Sequence, residues 1–188
     1  REHAARAQRH VQARHQAHAI EHHTRQAQLV AQDQGATPGS TITVGLRQKI
    51  DKGWHTYWRN PGDSGAATKI DWTLPPGWSA GEFTWPAPHR LPLGPLVNYG
   101  FSDAVILPLQ IKVPASAKVG QTYKLTGAAS FLVCADICVP EDAVLTLDVP
   151  VTAAAPSSRA VAASGYRNDG TGVWPGTSAP TAWSLTEH

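Results

Sequence analysis

Residues 105–113 read VILPLQIKV, and this stretch decides the fold class. Apolar side chains occupy every second position from Val105 to Val113, which is the period of a β-strand with one buried face. The same alternation returns in three further stretches, at 42–46, 123–131 and 145–151. Shorter strand candidates lie at 54–58, 69–74 and 82–85. About seven short strands with Gly- and Pro-rich connections predict an all-β, two-sheet sandwich.

The composition agrees with a globular β-domain. Of the 188 residues 41% are apolar and only 16% are charged, the reverse of a disordered chain, and 16 Gly with 15 Pro indicate many turns. The net charge of +2 lies in residues 1–35, with five Arg and three acids (5 − 3 = +2), while the remainder has 16 − 5 = 11 basic and 14 − 3 = 11 acidic residues. A neutral body lacks the basic footprint that nucleic acid requires, so nucleic acid is not a predicted partner.

Three regions differ in composition. Residues 1–35 are rich in Ala, Gln, Arg and His with too thin an apolar stripe to bury, so we predict a helical or disordered N-terminal arm. Residues 36–152 contain the strand pattern and form the predicted domain, and residues 153–188 have the composition of a flexible linker or tail. No apolar run reaches the roughly 18–20 residues of a membrane span and no secretory leader opens the chain, so we expect a soluble piece without its targeting segment.

Two cysteines, Cys134 and Cys138, lie within FLVCADICVP at 131–140. On a straight strand their Cα atoms would be roughly 13 Å apart at about 3.3 Å per residue. A disulfide needs a separation of roughly 4.4–6.8 Å. If the two are bonded, the strand that begins at Tyr123 must therefore end near Cys134 and turn tightly. Two thiols are too few for a zinc site, so no metal is predicted there.

A disulfide between Cys134 and Cys138 would close so small a ring that it would stabilise the fold little, which favours a role in thiol–disulfide exchange over a structural role. The chain-entropy relation gives only about 2 kcal/mol for a ring of some five residues. A carboxylate at Asp136, between the cysteines, would raise the thiol pKa and disfavour a strong oxidant, which points to a donor of reducing equivalents. A local structural disulfide and two buried free thiols are the alternatives, and the spacing alone does not separate them.

Two stretches upstream carry further candidates. GWHTYWRNPGDSG at 53–65 ends in a turn sequence, and its aromatic run is either core packing or a polar-aromatic wall that places His55 and Tyr57 beside the cysteines. LPLGPLVNYGF at 91–101 reads as a long, irregular apolar connection that packs on the sandwich, covers something or binds something. No phosphate-binding glycine loop, nucleophile elbow or zinc-protease motif is present, so we predict no cofactor and no small-molecule substrate.

Six of the nine histidines fall within the first 23 residues. On a helix, His15, His18 and His22 would lie within about 60° of one another, and such a face suits Cu²⁺ or Zn²⁺. A solvated histidine face is the alternative. A periplasmic copper-binding module that uses the cysteines and these histidines is therefore the rival function.

Four motifs follow one another in the order of a known family: GWHTYWRNPGDSG at 53–65, WPAP at 85–88, NYG at 98–100 and CADICVPE at 134–141. The chain resembles the N-terminal periplasmic domain of the DsbD-type thiol:disulfide interchange proteins. The closer likeness is to the ScsB branch, which is linked with suppression of copper sensitivity. The resemblance covers about residues 36–152. It implies an immunoglobulin-like, two-sheet antiparallel β-sandwich in the periplasm.

The resemblance also implies the chemistry. Cys134 and Cys138 would be the catalytic pair of a protein-disulfide reductase that takes electrons from a membrane-embedded partner domain. The recipients would be thioredoxin-fold periplasmic proteins, such as disulfide isomerases and cytochrome c maturation factors. By analogy with the C-terminal cysteine of the family pair, Cys138 would be the attacking sulfur. His55, Tyr57 and Asp136 are predicted as supporting residues from their own positions in the sequence.

A cap loop shields the cysteines in this family, and the matching segment here is 97–101. The best-studied branch has a wider cysteine spacing and an aromatic residue where Asn98 stands in this chain. The resemblance therefore assigns shielding and partner docking to Asn98, Tyr99 and Phe101, with Tyr99 or Phe101 covering the sulfurs.

Overall fold

The computed structural model describes residues 20–22 and 25–154, and this part of the chain is all β with no helix. The strands are β1 (Ile20–His22), β2 (Arg25–Ala31), β3 (Thr41–Ile50), β4 (Thr56–Gly62), β5 (Lys69–Thr73), β6 (Ser79–Ala80), β7 (His89–Leu93), β8 (Leu96–Phe101), β9 (Ala104–Lys112), β10 (Thr122–Cys134) and β11 (Cys138–Pro150). None of the helices that a membrane crossing would need is found among the described residues.

Two antiparallel sheets enclose the core. The first has the strand order β1-β2-β3-β9-β6 and the second the order β11-β10-β5. The alternating apolar residues of β3 and β9, such as Leu46 and Leu107, are fully buried. Leu125 and Leu145 of the second sheet are equally buried in the same cluster. The predicted immunoglobulin-like, two-sheet antiparallel sandwich is confirmed, because alternation along each strand sends one set of side chains into the space between the sheets.

The longest feature is the hairpin of β10 and β11, which we call the cysteine hairpin. Each strand has 13 residues, and the pairing runs without a break from Thr122 opposite Pro150 to Cys134 opposite Cys138. Its buried positions carry the alternation that the sequence shows over 123–131 and 145–151. This ladder brings the two cysteines to the end of a long, well-buried element.

A third, small sheet of order β4-β8-β7 was not predicted from the sequence. The stretch 91–101, expected to be an irregular connection, belongs to a hairpin of β7 and β8 (residues 89–101), which we call the cap hairpin. Leu93 pairs with Leu96 across a two-residue loop, and Gly94 at its first position has a φ of 57°. A glycine with positive φ at that position is what a tight hairpin turn needs, so the Gly-Pro pair reverses the chain instead of leaving it irregular.

The sandwich begins before residue 36, the domain boundary expected from composition. β2 pairs along its length with β3, and Ala27 and Leu29 are only 1% and 2% exposed. The sequence does not predict β2, because its buried face is short and includes an alanine between glutamines. Residues 1–19 of the predicted arm and residues 155–188 of the predicted tail lie outside the described residues.

Of the shorter strand candidates, the one at 82–85 is wrong. Gly81 and Thr84 donate backbone N–H groups to β9 at 2.8 and 2.7 Å, but no strand forms there. Pro86 and Pro88 follow and have no amide donor, so a ladder along β9 cannot continue. The candidates at 69–74 and 54–58 correspond to β5 and to the start of β4.

Candidate active site

The two cysteines are joined by a disulfide at the end of the cysteine hairpin. Cys134 ends β10, Cys138 begins β11, and their Cα atoms are 4.1 Å apart. The backbone groups of Cys134 bond to His55, so this is a non-hydrogen-bonded pair, the type in which opposed side chains approach most closely. The chain reverses within residues 135–137, where Ala135 N–H donates to the Ile137 carbonyl at 2.9 Å. This is the tight turn that a bonded pair required.

The two cysteines differ sharply in exposure. Cys134 is 0% exposed, whereas Cys138 is an exposed residue. Its neighbour Ile137 is 66% exposed, which is the largest value among the exposed large apolar residues of the described chain. A molecule that approaches the turn therefore meets Cys138 and Ile137 first, with Cys134 behind them.

His55 fixes Cys134 from the neighbouring sheet. Its N–H donates to the Cys134 carbonyl and the Cys134 N–H donates to the His55 carbonyl, both at 2.9 Å. The pair forms an isolated antiparallel bridge just before β4. The third sheet and the cysteine hairpin are thus connected at the disulfide itself.

Tyr57 contacts the other sulfur. Its hydroxyl lies 3.8 Å from Cys138 Sγ and 3.3 Å from His55 Nε2. The His55 and Tyr57 rings meet edge to face, with centroids 5.2 Å apart. The structure therefore brings His55 and Tyr57 together with both cysteines, and the three side chains His55, Tyr57 and Cys138 form one polar chain.

Burial shifts the pKa values of His55 and Tyr57. Desolvation lowers the pKa of His55 and raises the pKa of Tyr57. Both shifts disfavour the charged form of the group. Around neutral pH the imidazole is a neutral base and the phenol keeps its proton.

A turn after β4 holds the cap hairpin in place through what we call the latch (Asp63, Ser64, Val97 and Asn98). Asp63 Oδ2 accepts the Val97 N–H at 2.8 Å, and Asp63 N–H donates to the Val97 carbonyl at 3.1 Å. Asn98 Oδ1 accepts both the N–H and the hydroxyl of Ser64 at 3.1 Å. The predicted NPGDSG turn is thus only partly correct: residues 60–62 belong to β4, and the bend that follows binds β8 through Asp63 and Ser64.

The three residues assigned to the cap occupy different environments. Asn98 is fully buried, and its Nδ2 has no hydrogen-bond partner among the described residues. Phe101 is 2% exposed in the sandwich core and pairs with Thr56, whereas Tyr99 is 38% exposed. Because side chains alternate along β8, Asn98 lies on the face opposite Tyr99 and Phe101.

Two glycines that the sequence analysis did not single out make room for this arrangement. A side chain at Gly65 would overlap the Tyr57 ring, and one at Gly100 would overlap the backbone oxygen of Thr56. Gly65 also has a φ of 100°, which L side chains rarely adopt. The only sequence signal was their place at the ends of the GDSG and NYG motifs.

An open groove of about 250 Å³ lies beside His55. The segment 53–55 forms one wall, residues 91–93 of the cap hairpin form another, and Asn98 and Ser102 complete it. The groove separates the cap hairpin from the loop that carries His55. It gives the imidazole a route to solvent.

Asp136 is exposed at the tip of the turn between the cysteines. No group of three or more His, Cys, Asp or Glu side chains that could hold a metal ion occurs in the described part of the chain. His15 and His18 of the predicted copper face lie outside the described residues, and of His22 only the backbone is described. Both thiols are used in the disulfide.

The chain as a whole is similar to one known protein family and to solved structures. The family described as "Thiol:disulfide interchange protein DsbD, N-terminal" matches residues 26–150, a range that starts within β2. The solved N-terminal periplasmic domain of ScsB from Proteus mirabilis is similar, with a TM-score of 0.56 and 23% identity over 72% of this chain and 51% of that chain. This chain thus spans about half the length of that structure.

A second solved structure is the N-terminal domain of DsbD from Neisseria meningitidis in the reduced form, with a TM-score of 0.35 and 17% identity over 69% of this chain and 89% of that chain. None of the curated protein sequences matches. Since the family match spans more than half of the chain, the chain belongs to the family of N-terminal domains of DsbD thiol:disulfide interchange proteins.

Proposed function

We propose that this domain relays electrons in the periplasm, from a membrane-embedded partner domain to thioredoxin-fold proteins, through reversible opening of the Cys134–Cys138 disulfide. The observation that carries the proposal is the unequal exposure of the pair, with Cys134 buried behind an exposed Cys138. An attacking cysteine must be reachable by a partner, whereas a resolving cysteine needs to reach only its neighbour. The family membership and the fold shared with a periplasmic ScsB domain support the setting.

The exchange begins with the reduced pair. The Cys138 thiolate attacks a partner disulfide, so that a bond forms between Cys138 Sγ and one partner sulfur while the other partner sulfur leaves as a thiolate. Cys134 then attacks Cys138 Sγ, which re-forms the Cys134–Cys138 disulfide and releases the partner as a dithiol after it takes up protons. Two electrons have passed to the partner. A dithiol of the membrane-embedded domain reduces the pair again by the same exchange in reverse.

The cap hairpin controls access to the pair. Asn98 anchors it through the latch, Phe101 fixes its end in the core, and Tyr99 is exposed for contact with a partner. Leu93 and Leu96 at the tip are 42% and 39% exposed. Because Cys138 is already exposed, docking of a partner moves this hairpin to widen the access to the pair, which favours exchange on contact. The proposed recipients are periplasmic thioredoxin-fold proteins such as disulfide isomerases and cytochrome c maturation factors.

The test uses single-cysteine variants and a thioredoxin-fold protein that keeps only its exposed cysteine, activated as a mixed disulfide with thionitrobenzoate. Attack on that disulfide joins the two proteins and releases coloured thionitrobenzoate. Cys134→Ser, which keeps Cys138, should react rapidly and give a stable covalent complex. Cys138→Ser should react at least about tenfold more slowly, because the remaining sulfur is buried.

A second measurement follows reduction of the disulfide in the wild-type protein. The disulfide should equilibrate with a glutathione buffer and with the thioredoxin-fold protein. If neither reduces it at the potentials found in cells, or if no complex forms with either variant, the disulfide is a structural staple and the relay function is wrong.

A further inference from the structure

We propose that Tyr57 and His55 form a proton relay that converts the Cys138 thiol into the attacking thiolate. Tyr57 is the residue that touches the sulfur, and His55 acts through it as the group that holds the proton. This inference deepens the proposed function and rests on it, because only an attacking cysteine needs such activation.

The geometry gives a continuous path. Cys138 Sγ lies 3.8 Å from the Tyr57 hydroxyl, within the longer range of a sulfur hydrogen bond, and the hydroxyl lies 3.3 Å from His55 Nε2. The hydroxyl is the only atom common to both contacts. A phenol can accept a proton and donate its own at the same time, which suits it to the middle of such a chain.

The relay is held in place from both ends. The two backbone hydrogen bonds between His55 and Cys134 fix the imidazole relative to the cysteine hairpin. The Tyr57 ring is 1% exposed and packs directly against Gly65. Neither side chain has to be recruited when the disulfide opens, so the path to Cys138 exists as soon as the thiol forms.

The proton balance is simple. The Cys138 S–H proton passes to the Tyr57 oxygen while the Tyr57 proton passes to His55 Nε2, which leaves a thiolate, an unchanged phenol and an imidazolium. The neutral imidazole must carry its own proton on Nδ1 at the start. No electrons move in this step. After Cys138 has attacked, the imidazolium returns its proton through solvent to the partner's leaving thiolate.

The protonation states of the resting site fit this role. Burial lowers the pKa of His55, so the imidazole is free to accept a proton at neutral pH, and it raises the pKa of Tyr57, so the phenol stays protonated. A thiolate beside the imidazolium stabilises it by charge, which offsets the cost of burying the cation. The relay therefore forms an ion pair only when Cys138 is reduced.

Other charges lie on the elements around the relay. On β4 and the turns beside the relay these are Asp51, Lys52, Arg59, Asp63, Asp103 and Asp136. The cap hairpin adds His89, Arg90 and Tyr99, and the cysteine hairpin adds Tyr123, Lys124, Glu141, Asp142 and Asp148. Asp136 is on the same turn as Cys138, and its negative charge opposes the thiolate. The relay and Asp136 should therefore shift the reactivity of Cys138 in opposite directions.

The experiment measures the alkylation rate of Cys138 by iodoacetamide against pH, in the Cys134→Ser protein. Tyr57→Phe and His55→Gln should each raise the apparent pKa of Cys138 and slow alkylation at neutral pH by about tenfold, the equivalent of one pKa unit. The double variant should lose no more than either single one, because both residues act on one path. Asp136→Asn should speed alkylation.

A matched control is Tyr123→Phe, since Tyr123 also uses its hydroxyl for hydrogen bonds but lies at the far end of β10. It should leave the pH profile unchanged. A second measurement needs no substitution: the His55 ring titrates by NMR in the disulfide and reduced forms, and its pKa should be higher in the reduced form.

Unchanged alkylation profiles in folded Tyr57→Phe and His55→Gln proteins would overturn the relay, as would a His55 pKa that is the same in both redox forms. If a variant fails to fold, the NMR comparison on the wild type decides. The relay can fail while Cys134→Ser still captures a thioredoxin-fold protein, which would leave the proposed function standing. Failure of capture by Cys134→Ser would remove the function itself.

Discussion

The cysteine hairpin and the cap hairpin are both pairs of antiparallel strands, but they are held in very different ways. The cysteine hairpin has 13 residues in each strand and buries alternate side chains in the sandwich core. In the cap hairpin, the five residues of β7 all lie exposed or half-buried, and the tip is apolar and exposed. β4 lies between them: it pairs with β8 of the cap hairpin, and His55, just before β4, bonds to Cys134 of the cysteine hairpin.

The cysteine hairpin is therefore the rigid part of this region, and the cap hairpin is the part that can move. The two cysteines lie on the hairpin with the most burial, which resists local opening, whereas the strand β7 of the proposed cap has little burial. The cap hairpin is also less stable because the buried Nδ2 of Asn98 has no hydrogen-bond partner among the described residues. The cap hairpin can therefore move at a free-energy cost well below that of unfolding the sandwich.

The largest expected effect is a loss of stability caused by a substitution in the cysteine hairpin. Leu145→Ala removes a fully buried side chain from β11 and should lower the free energy of unfolding by about 2–5 kcal/mol. Chemical denaturation measures it. Val144→Ala, at the neighbouring position, is the control, since Val144 is 61% exposed and the loss should stay within about 0.5 kcal/mol. Equal losses would mean that β11 is not packed as described.

The next effect separates the cap hairpin from β4. Gly100→Ala places a methyl group against the backbone oxygen of Thr56, so β8 must move away at a cost of about 1–3 kcal/mol. The disulfide should then be reduced by dithiothreitol roughly tenfold faster. Gly81→Ala is the matched control, because its nearest neighbour would be 3.5 Å away, and it should leave the rate unchanged. A rate unaffected by Gly100→Ala would show that the cap hairpin does not limit access.

A smaller effect tests the latch. Asn98→Ala removes both hydrogen bonds to Ser64 and should cost about 1–2 kcal/mol in the local stability of the cap hairpin. Amide hydrogen exchange should speed up about tenfold over 89–101 and stay unchanged over 122–150. Gln110→Ala, which removes an exposed side-chain hydrogen bond between β9 and β3, is the control. Equal acceleration in both hairpins would contradict the division between them.

The smallest effect concerns pH and His55, which connects the segment before β4 to the cysteine hairpin. Burial lowers the pKa of His55 below its ordinary value of 6.5, so the unfolded chain takes up a proton more readily than the folded one. The contribution of neutral His55 to the free energy of unfolding is therefore fully present above about pH 6.5, and it is lost as the pH falls below that value. Denaturation midpoints measured from about pH 8 to 5 should fall less steeply in His55→Gln than in the wild type. Identical slopes would show that His55 is not desolvated.

The sequence could predict the long strands because each keeps its alternation over many residues. β9 and the cysteine hairpin follow directly from the apolar positions at 105–113, 123–131 and 145–151. The cap hairpin could not be predicted in the same way, because it is short, contains Pro92 and has no continuous buried face. β2 was missed because its burial is decided by its partner β3 and not by its own composition.

The site was only partly accessible from sequence for a similar reason. The spacing of Cys134 and Cys138 is compatible with an exchanging disulfide, a structural disulfide or two free thiols. It does not separate them, because tertiary packing decides the geometry of the turn. The polar-aromatic wall was one of two interpretations of 53–65, and the contact of Tyr57 with Cys138 joins residues 81 positions apart. The aromatic run allowed His55 and Tyr57 to form that wall, but it could not show which residue would lie opposite them.

The most direct test of the account is competitive alkylation of the two cysteines in the reduced wild-type protein. A limiting amount of iodoacetamide is added near neutral pH, and mass-spectrometric fragmentation of the peptide that contains both cysteines assigns the label. Cys138 should take up the label at least about tenfold faster than Cys134, because its sulfur is exposed and, as proposed, activated. Equal labelling, or faster labelling of Cys134, would contradict it.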